Sequence, residues 1–577
     1  MQHAQALLSQ ASARTGLSPR ALSLLAAAGL STISLAKLLS SKRSYPRGRF
    51  HRPTAVPKDT EYDADLVIVG AGVVGTALAH VLGEAGLKVI LLERNTGDEN
   101  TIIGELMQPA GVRVLEEIGM GACFDDINAQ RTSGYEVHFG EQSMLLDYPH
   151  VNSGDWYPAR DDGSDVRARA VGMHHHRLVR RMREICTSHP SVQLVQATVR
   201  SLVRADNGRI TGVDYTTQSD GDSTVQRVTA PLTVVANGSA SKFRSELVNG
   251  TASVRGRFVG VQLEVDVPED ARAHVVLMQP APVLYYPIAS SSENNGKGHM
   301  RVLVDIPAGM SLDKVLEGVE VPYDLGSSGN DKLKKYMLGV VAPAMPVTVR
   351  EAFVAAVLDG SSIQACRNIM LCGTPRKNTD GALVLGDILN MRHPVTGAGM
   401  TVALLDVQNV GRRLRSLHQR GLWHQHGCLD KACDAFYNTR VPRVSTLNVL
   451  ADALYGVFSV NPDLCSAFFG YVAKQGYYSH GPMRLLSGLS LNHTLIGTHF
   501  FSVAFDGVKR LLLPNSQDAA SRFEGSDKQW LWQRLLRAYR LMRTATHVLR
   551  PVVRADDGSR VLKLMCETAN IAFLLPL

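Results

Sequence analysis

Residues 65–93 read DLVIVGAGVVGTALAHVLGEAGLKVILLE, and this stretch decides the fold. Asp65–Val69 is a short apolar run that ends in glycine, the pattern of a buried strand. From Val73 to Glu84 the apolar residues recur at helical spacing, and Gly86 ends the run. Val89–Leu92 is the next strand. Strand, helix and strand in this order predict a βαβ unit and a parallel sheet. The glycines fall where a dinucleotide needs them. Gly70 makes the tight turn, Gly72 lets the backbone approach a pyrophosphate, and Gly75 lets the helix pack against the strand. Val73 and Val74 open the helix, whose free N–H groups and dipole favour an anion. Glu93 ends the second strand 18 residues after Gly75, where an acid accepts ribose hydroxyls.

A second motif lies about 300 residues downstream. The strand run Ala382–Leu385 ends in Gly386-Asp387. Asn390-Met391-Arg392-His393-Pro394 follows, then Thr396-Gly397-Ala398-Gly399-Met400 and a helix. An aspartate at a strand end can bind ribityl hydroxyls. A glycine-rich helix start can face the pyrimidine edge of a flavin, where negative charge appears on reduction. Two motifs so far apart suit a long, two-ended cofactor such as FAD.

Between the motifs the pattern changes. Val192–Val195, Val199–Val203, Ile210–Tyr215, Val225–Val228 and Leu232–Val235 are β-like runs separated by turn residues. Phe258–Val265, Ala273–Met278, Val283–Ile288 and Arg301–Asp305 continue the series, which predicts a mixed or antiparallel sheet inserted into the α/β domain. After Ala403 the chain turns helical. The expected division is 1–60, an N-terminal anchor or targeting segment with a linker; 61–190, the first part of the FAD-binding domain; 191–365, a mainly β substrate domain with strands returning to the FAD domain; 366–420, the Gly-Asp motif and its helix; and 421–577, a helical membrane-associated region.

Charge is concentrated at the ends. Of the net +8, residues 1–60 carry nine Lys/Arg against one acid, and residues 484–577 carry thirteen against seven. No zinc signature or stacking motif accompanies them, so nucleic acid is not the expected partner. Basic ends rich in Leu, Trp and Phe fit an anionic membrane surface. Leu17–Leu39 reads as a signal peptide, a transit peptide or a retained anchor, with the anchor preferred. In Gln529–Leu549, Trp532, Leu535, Leu536, Tyr539 and Met542 form a stripe bordered by Arg534, Arg537, Arg540 and Arg543, as expected of an in-plane membrane helix. The eight cysteines form no CxxC pair and read as scattered reduced thiols. His174, His175 and His176 are consecutive and cannot all face one ion from a helix, so no metal site is expected.

Taken together, GAGVVGTALAHVLGEAGLKVILLER, GELMQPAG at 104–111, PLTVVANGSASKFR at 231–244 and LGDILNMRHPVTGAGMTVALLDV at 385–407 resemble the squalene monooxygenase (squalene epoxidase) family of single-component FAD-dependent monooxygenases. The likeness runs from about Asp63 to the C-terminus. It implies squalene and O2 as substrates and (S)-2,3-epoxysqualene as product through a flavin C4a-hydroperoxide. It also implies electrons from NADPH through a separate cytochrome reductase, and the cytosolic face of the endoplasmic reticulum membrane. By the same likeness, Val73, Val74, Glu93, Arg94, Thr101, Leu106, Arg177, Val199, Gly386, Asp387, Gly399 and Met400 hold the flavin, and Tyr135 orients groups beside it. The family pattern has Asp-Gly where this chain has Asn237-Gly238, and an arginine where it has Thr101. Two rival readings are another membrane flavoenzyme of the same fold, such as a polyprenyl reductase or hydroxylase, and an inactive scaffold.

Overall fold

The computed structural model describes residues 61–98, 101–150, 167–217, 224–294, 296–323, 331–371, 376–377, 379–459, 462–512 and 532–543. The N-terminal segment and the linker singled out above lie outside these residues.

Strands β1 (Leu66–Val69) and β2 (Val89–Glu93) flank helix α1 (Val73–Glu84) within the predicted bounds. All four residues of β1 are buried, as expected for a parallel strand covered on both faces. Gly86 takes φ +89°, the left-handed turn that stops the helix. Further strands along the chain are β3 (Leu106–Met107), β4 (Gln130–Thr132), β5 (Gly134–Phe139), β6 (Gln142–Asp147) and β7 (Ala170–Gly172). Next come β8 (Val192–Arg204), β9 (Ile210–Thr217), β10 (Val225–Thr229), β11 (Leu232–Val235), β12 (Ser253–Val265) and β13 (Ala273–Val276). The series closes with β14 (Val283–Asn294), β15 (Lys297–Pro307), β16 (Gln364–Met370) and β17 (Ala382–Val384).

They form two seven-stranded sheets, ordered β10-β9-β8-β2-β1-β11-β17 and β16-β12-β15-β14-β13-β5-β6, and a small sheet β3-β7-β4. The fold is α/β, with a parallel nucleotide-type centre in the first sheet and a mixed second sheet. The sheets do not follow the sequential division. Strands β8–β11, within the stretch expected to form the inserted domain, belong to the first sheet, while β5 and β6, upstream of it, belong to the second. The two expected runs in 192–203 are one strand. It pairs with β2 over Val192–Gln196 and with β9 from Ala197 onward, and a register shift between Val199 and Ser201 bends it. A single bulged strand thus leaves the parallel sheet and becomes half of an antiparallel ribbon.

Helices α2 (Pro109–Glu117), α3 (His175–Thr187), α4 (Val347–Asp359), α5 (Gly399–Gln419) and α6 (His426–Ser459) complete this unit. Residues 479–491 also belong to it: the Ala110 amide donates to the Ser487 carbonyl at 3.0 Å.

A second compact unit contains α7 (Pro462–Val472), α8 (His493–Leu512) and a helix over 532–543. Gly507 lets helices meet closely, since a β-carbon there would lie 2.8 Å from Ala467 and 2.9 Å from Leu541. Arg537 pairs with Asp463, and the Tyr471 hydroxyl lies 2.9 Å from Nδ1 of His499.

Candidate functional site

The glycine loop has the form its sequence predicts. Gly70 takes φ +104°, and a β-carbon there would strike the carbonyl of Ala236 at 2.7 Å and Cα of Asn237 at 2.8 Å. Gly75 faces its own loop: an added β-carbon would sit 1.8 Å from the Gly70 carbonyl oxygen. Gly72 is the opposite case. It caps α1, and nothing lies within 4 Å of where its β-carbon would be. Two glycines close the turn, and the one between them leaves open space at the helix N-terminus.

Glu93 closes the loop from below. Its carboxylate accepts from the Ala71 amide at 2.7 Å and from the Asn95 amide at 3.0 Å. Arg183, on α3, fastens the same corner. It donates to the carbonyls of Ala71, Thr96 and Asn95 at 2.9, 3.0 and 3.1 Å and lies 3.9 Å from Glu93. The sequence reading did not select Arg183. Nothing in its i,i+3 neighbourhood marks it out among the six arginines at 167, 169, 177, 180, 181 and 183, because its partners lie about 90 to 110 residues away in the chain. Arg94, the next residue after Glu93, is exposed.

The second motif meets the first. A β-carbon at Gly386 (φ +75°) would lie 3.2 Å from Cγ2 of Val74, so the Gly386-Asp387 turn abuts the start of α1. Gly399 begins α5 and, like Gly72, has no neighbour within 4 Å of its β-carbon position. Met400 is half-buried beside it. The Asp387 side chain reaches solvent from within a crowded cleft; the surrounding protein raises its carboxyl pKa, and the guanidiniums of Arg392 and Arg244 oppose the rise. Arg392 braces the loop between the motif halves. It donates to Asn390 at 2.6 Å, Asn448 at 2.8 Å and the Ala398 carbonyl at 3.1 Å. Burial lowers its pKa to about 10, and Asp387 opposes that.

Next to this cradle is a buried polar network. Gln108 donates to the Tyr135 hydroxyl at 2.7 Å and to the Thr396 carbonyl at 2.9 Å, and accepts from the Tyr148 hydroxyl at 2.8 Å. The two phenol rings meet edge to face, 5.9 Å apart. Burial raises both phenol pKa values, that of Tyr148 well above the ordinary one. Both therefore stay protonated and act as donors or acceptors rather than as anions. Gln108 and Tyr148 were missing from the sequence reading. Gln108 sits inside the quoted GELMQP run, so its amide next to Tyr135 was open to inference; Tyr148 carried no comparable signal.

The remaining expected residues are spread more widely. Leu106 is buried in β3, and its carbonyl lies 3.6 Å from the β-carbon position of Gly397, beside the cradle. Val199 lies on β8, three residues beyond Gln196, the register partner of Glu93. It is buried in a cluster with Val67, Val69 and Leu92, past the carboxyl end of β2. Arg177 donates to the Ile127 carbonyl at 3.3 Å, and the Thr101 hydroxyl donates to the Ile103 carbonyl at 3.2 Å. Neither of these two contacts reaches the glycine loop. His174 lies 3.2 Å from His299, while Nδ1 of His175 lies 3.0 Å from the Gly104 carbonyl, so the histidine run diverges.

The residues present fit FAD. Gly72 and Gly399 leave room at the starts of α1 and α5. The Asn237 amide oxygen beside Gly70 and the Thr401 hydroxyl just after Gly399 have no protein partner. Acids stand at the carboxyl ends of β2 and β17, as the two ends of such a cofactor require.

Fold and cradle together define the FAD-dependent monooxygenase class. Solved structures of similar fold include pqsL, a probable FAD-dependent monooxygenase from Pseudomonas aeruginosa (TM-score 0.52, 21% identity, 69% of this chain and 97% of that one). Another is the p-nitrophenol 4-monooxygenase PnpA from Pseudomonas putida DLL-E4 (TM-score 0.52, 17% identity, 74% and 98%). Within that class, residues 229–521 match the squalene epoxidase family model. Squalene monooxygenase SE1 of Panax ginseng is 37% identical over 506 residues, 87% of this chain and 84% of its own. Squalene epoxidase 3 of Arabidopsis thaliana is 38% identical over 500 residues (86% and 85%), and the squalene monooxygenase of Mus musculus 34% over 457 (78% and 72%). The chain belongs to the squalene epoxidase family.

Proposed function

We propose that this chain converts squalene to (S)-2,3-epoxysqualene with O2 and bound FAD, a step of sterol biosynthesis. The observation that carries the reading is the pair of helix starts at Gly72 and Gly399, each with empty space at its β-carbon position, with the buried Gln108–Tyr135–Tyr148 network beside Gly397. Bound FAD, once reduced, would activate O2, one atom of which goes to the alkene while the other leaves as water. The protein's part is to hold, orient and keep dry. Gly70, Gly72, Val73, Val74 and Gly75 receive the pyrophosphate at the N-terminus of α1. Glu93 and Arg94 flank the ribose, with Val199 on the adenine side. Gly386 and Asp387 take the ribityl chain, while Gly399 and Met400 open α5 toward the pyrimidine edge, where its dipole favours negative charge. Leu106 and Arg177 complete the flavin side, and Thr101 is a weaker phosphate-side contact than the arginine expected there. Tyr135, fixed through Gln108, orients the groups around the reacting alkene. A site that must exclude water gains from an amide and two phenols that satisfy one another.

Electrons are proposed to come from NADPH through a separate reductase, at the cytosolic face of the endoplasmic reticulum. Among the described residues no helix is long and apolar enough to cross a membrane. The helix over 532–543 instead exposes Trp532, Leu536 and Tyr539 at 47–52% on one face while burying Ala538 and Leu541 on the other. Large apolar groups beside Arg540 and Arg543 suit an interfacial helix.

The test is to supply detergent-purified protein with FAD, NADPH, a cytochrome reductase and squalene, and to seek a product heavier by one oxygen atom. Formation of 2,3-oxidosqualene is the expected result. Flavin reduction that yields only hydrogen peroxide would refute the substrate assignment.

A further inference from the structure

Opposite the Tyr135 side, the second sheet carries a cluster that the flavin chemistry does not use. Side chains alternate along a strand, so Glu136 and His138 share one face of β5 and Tyr135 and Val137 the other. β13 runs parallel to β5 and places His274 beside Glu136; on the following strand, Tyr285 is the register partner of His274. Ligand atoms of Glu136, His138 and His274 all lie within 4.8 Å of one another. Nε2 of His138 is 3.2 Å from Nδ1 of His274, and that nitrogen is 3.6 Å from the Glu136 carboxylate.

Two of these separations are near those of ligands around one ion; the third, between Glu136 and His138, lies within 4.8 Å, so the Glu136 carboxylate swings in to complete the site. With metal–nitrogen bonds of about 2.0–2.1 Å, two ligands of a tetrahedral zinc stand about 3.3 Å apart. The cluster is also preorganised. The Tyr285 ring stacks on His274 with centroids 4.1 Å apart and planes 4° from parallel, and its hydroxyl lies 3.2 Å from Nε2 of His138. The three candidate side chains retain only 12–25% of their exposure, so they are sheltered yet reachable. The Arg272 guanidinium, two residues before His274 in the chain, is engaged by Asp147 at 2.8 Å.

We propose that Glu136, His138 and His274 bind a divalent transition-metal ion of the zinc class, with solvent completing its coordination. Two imidazoles and one carboxylate are a borderline donor set that suits zinc over calcium or magnesium. The ion bridges β5 and β13 and stiffens the strand that presents Tyr135 on its other face.

The full-length protein, stripped with chelator and then titrated with ZnCl2 or CoCl2, tests this. One zinc ion per chain should survive gel filtration. Glu136→Gln and His138→Gln should each weaken binding at least tenfold while flavin content stays at the wild-type level. The cobalt form should show strong visible bands of low coordination number and no thiolate-to-cobalt charge-transfer band. Zinc retained equally by both variants would overturn the proposal, as would a thiolate band placing the ion on a cysteine, or no ion above background. Should either substitution unfold the sheet, the wild-type cobalt spectrum still decides.

Discussion

Arg301 holds Glu105 through two hydrogen bonds, Nε to Oε2 at 2.7 Å and the guanidinium Nη2 to Oε1 at 3.0 Å, with both side chains almost wholly buried. The pair joins β15 of the second sheet to the segment that leads into Gln108. The Glu105 carbonyl also accepts from the Met173 amide at 2.9 Å, so β7 is tied to the same point. Bidentate geometry is the form in which a buried pair best offsets its own desolvation. Removing one partner strands the other. Arg301→Met should therefore cost about 3–5 kcal/mol in denaturant unfolding. Adding Glu105→Gln should recover a substantial part, because the orphaned charge is gone. An Arg301→Met protein with wild-type stability would show that the pair is energetically idle.

Gly72 and Gly75 separate cofactor binding from folding. At Gly72, φ is −82° and the β-carbon position is empty, so alanine fits the backbone without strain. Gly72→Ala should change the apoprotein's stability by less than about 1 kcal/mol, yet weaken FAD binding at least tenfold, since the methyl enters the space assigned to the pyrophosphate. Gly75→Ala should destabilise the fold itself, because its methyl would overlap the Gly70 carbonyl. Fluorescence titration with FAD and melting of the apoprotein separate the two. Undiminished FAD affinity in Gly72→Ala would move the cofactor away from this loop.

Asp305 and His393 give opposite pH signatures from one buried spot. Asp305 is raised to about 6, chiefly by burial, although Tyr455 and Asn368 donate hydrogen bonds to it. Its unfolded pKa is about 3.9. Between these values the folded chain keeps a proton that the unfolded chain has released, so stability from this group is full below about 4 and is lost as pH rises through about 6. His393 is lowered to about 3 by burial, with Arg255 assisting, and contributes with the reverse sign, losing stability as pH falls. The useful quantity is thus the difference between wild type and Asp305→Asn. The variant's relative stability should improve by about 2–3 kcal/mol between pH 4 and pH 7. A flat difference profile would mean that Asp305 is ionised throughout.

The backbone form of the glycine loop was legible because its signals are local. A turn glycine, an open glycine and a packing glycine within six residues each state a backbone requirement, and Glu93 follows at a fixed offset. What escaped depends on tertiary pairing. Arg183 reaches back to Ala71, Arg301 to Glu105, and His274 is brought beside Glu136 only by the parallel pairing of β13 with β5. The assignment of 192–235 to the inserted sheet had the same cause. Its alternating pattern describes half-buried strands well but says nothing about which sheet they join. The change of partner at Ala197, where one strand leaves the parallel sheet for a ribbon, and the bulge after Val199 left no mark that periodicity could read.

The network around Gln108 gives the most direct test of Tyr135. Removing the Tyr135 hydroxyl leaves one amide hydrogen of Gln108 without its acceptor, while the bonds to Thr396 and Tyr148 persist. A buried donor left unsatisfied costs about 1–3 kcal/mol, so Tyr135→Phe should lower stability modestly. If Tyr135 only supported packing, epoxide formed per NADPH consumed would not change. If it orients groups at the reacting alkene, that ratio should fall at least tenfold, peroxide should account for the difference, and the bound flavin should remain at wild-type content. Gln108→Leu, which removes the amide and leaves both phenols in place, should reproduce the uncoupling. A Tyr135→Phe enzyme with wild-type coupling would reduce Tyr135 to a core residue and leave squalene orientation to the apolar walls alone.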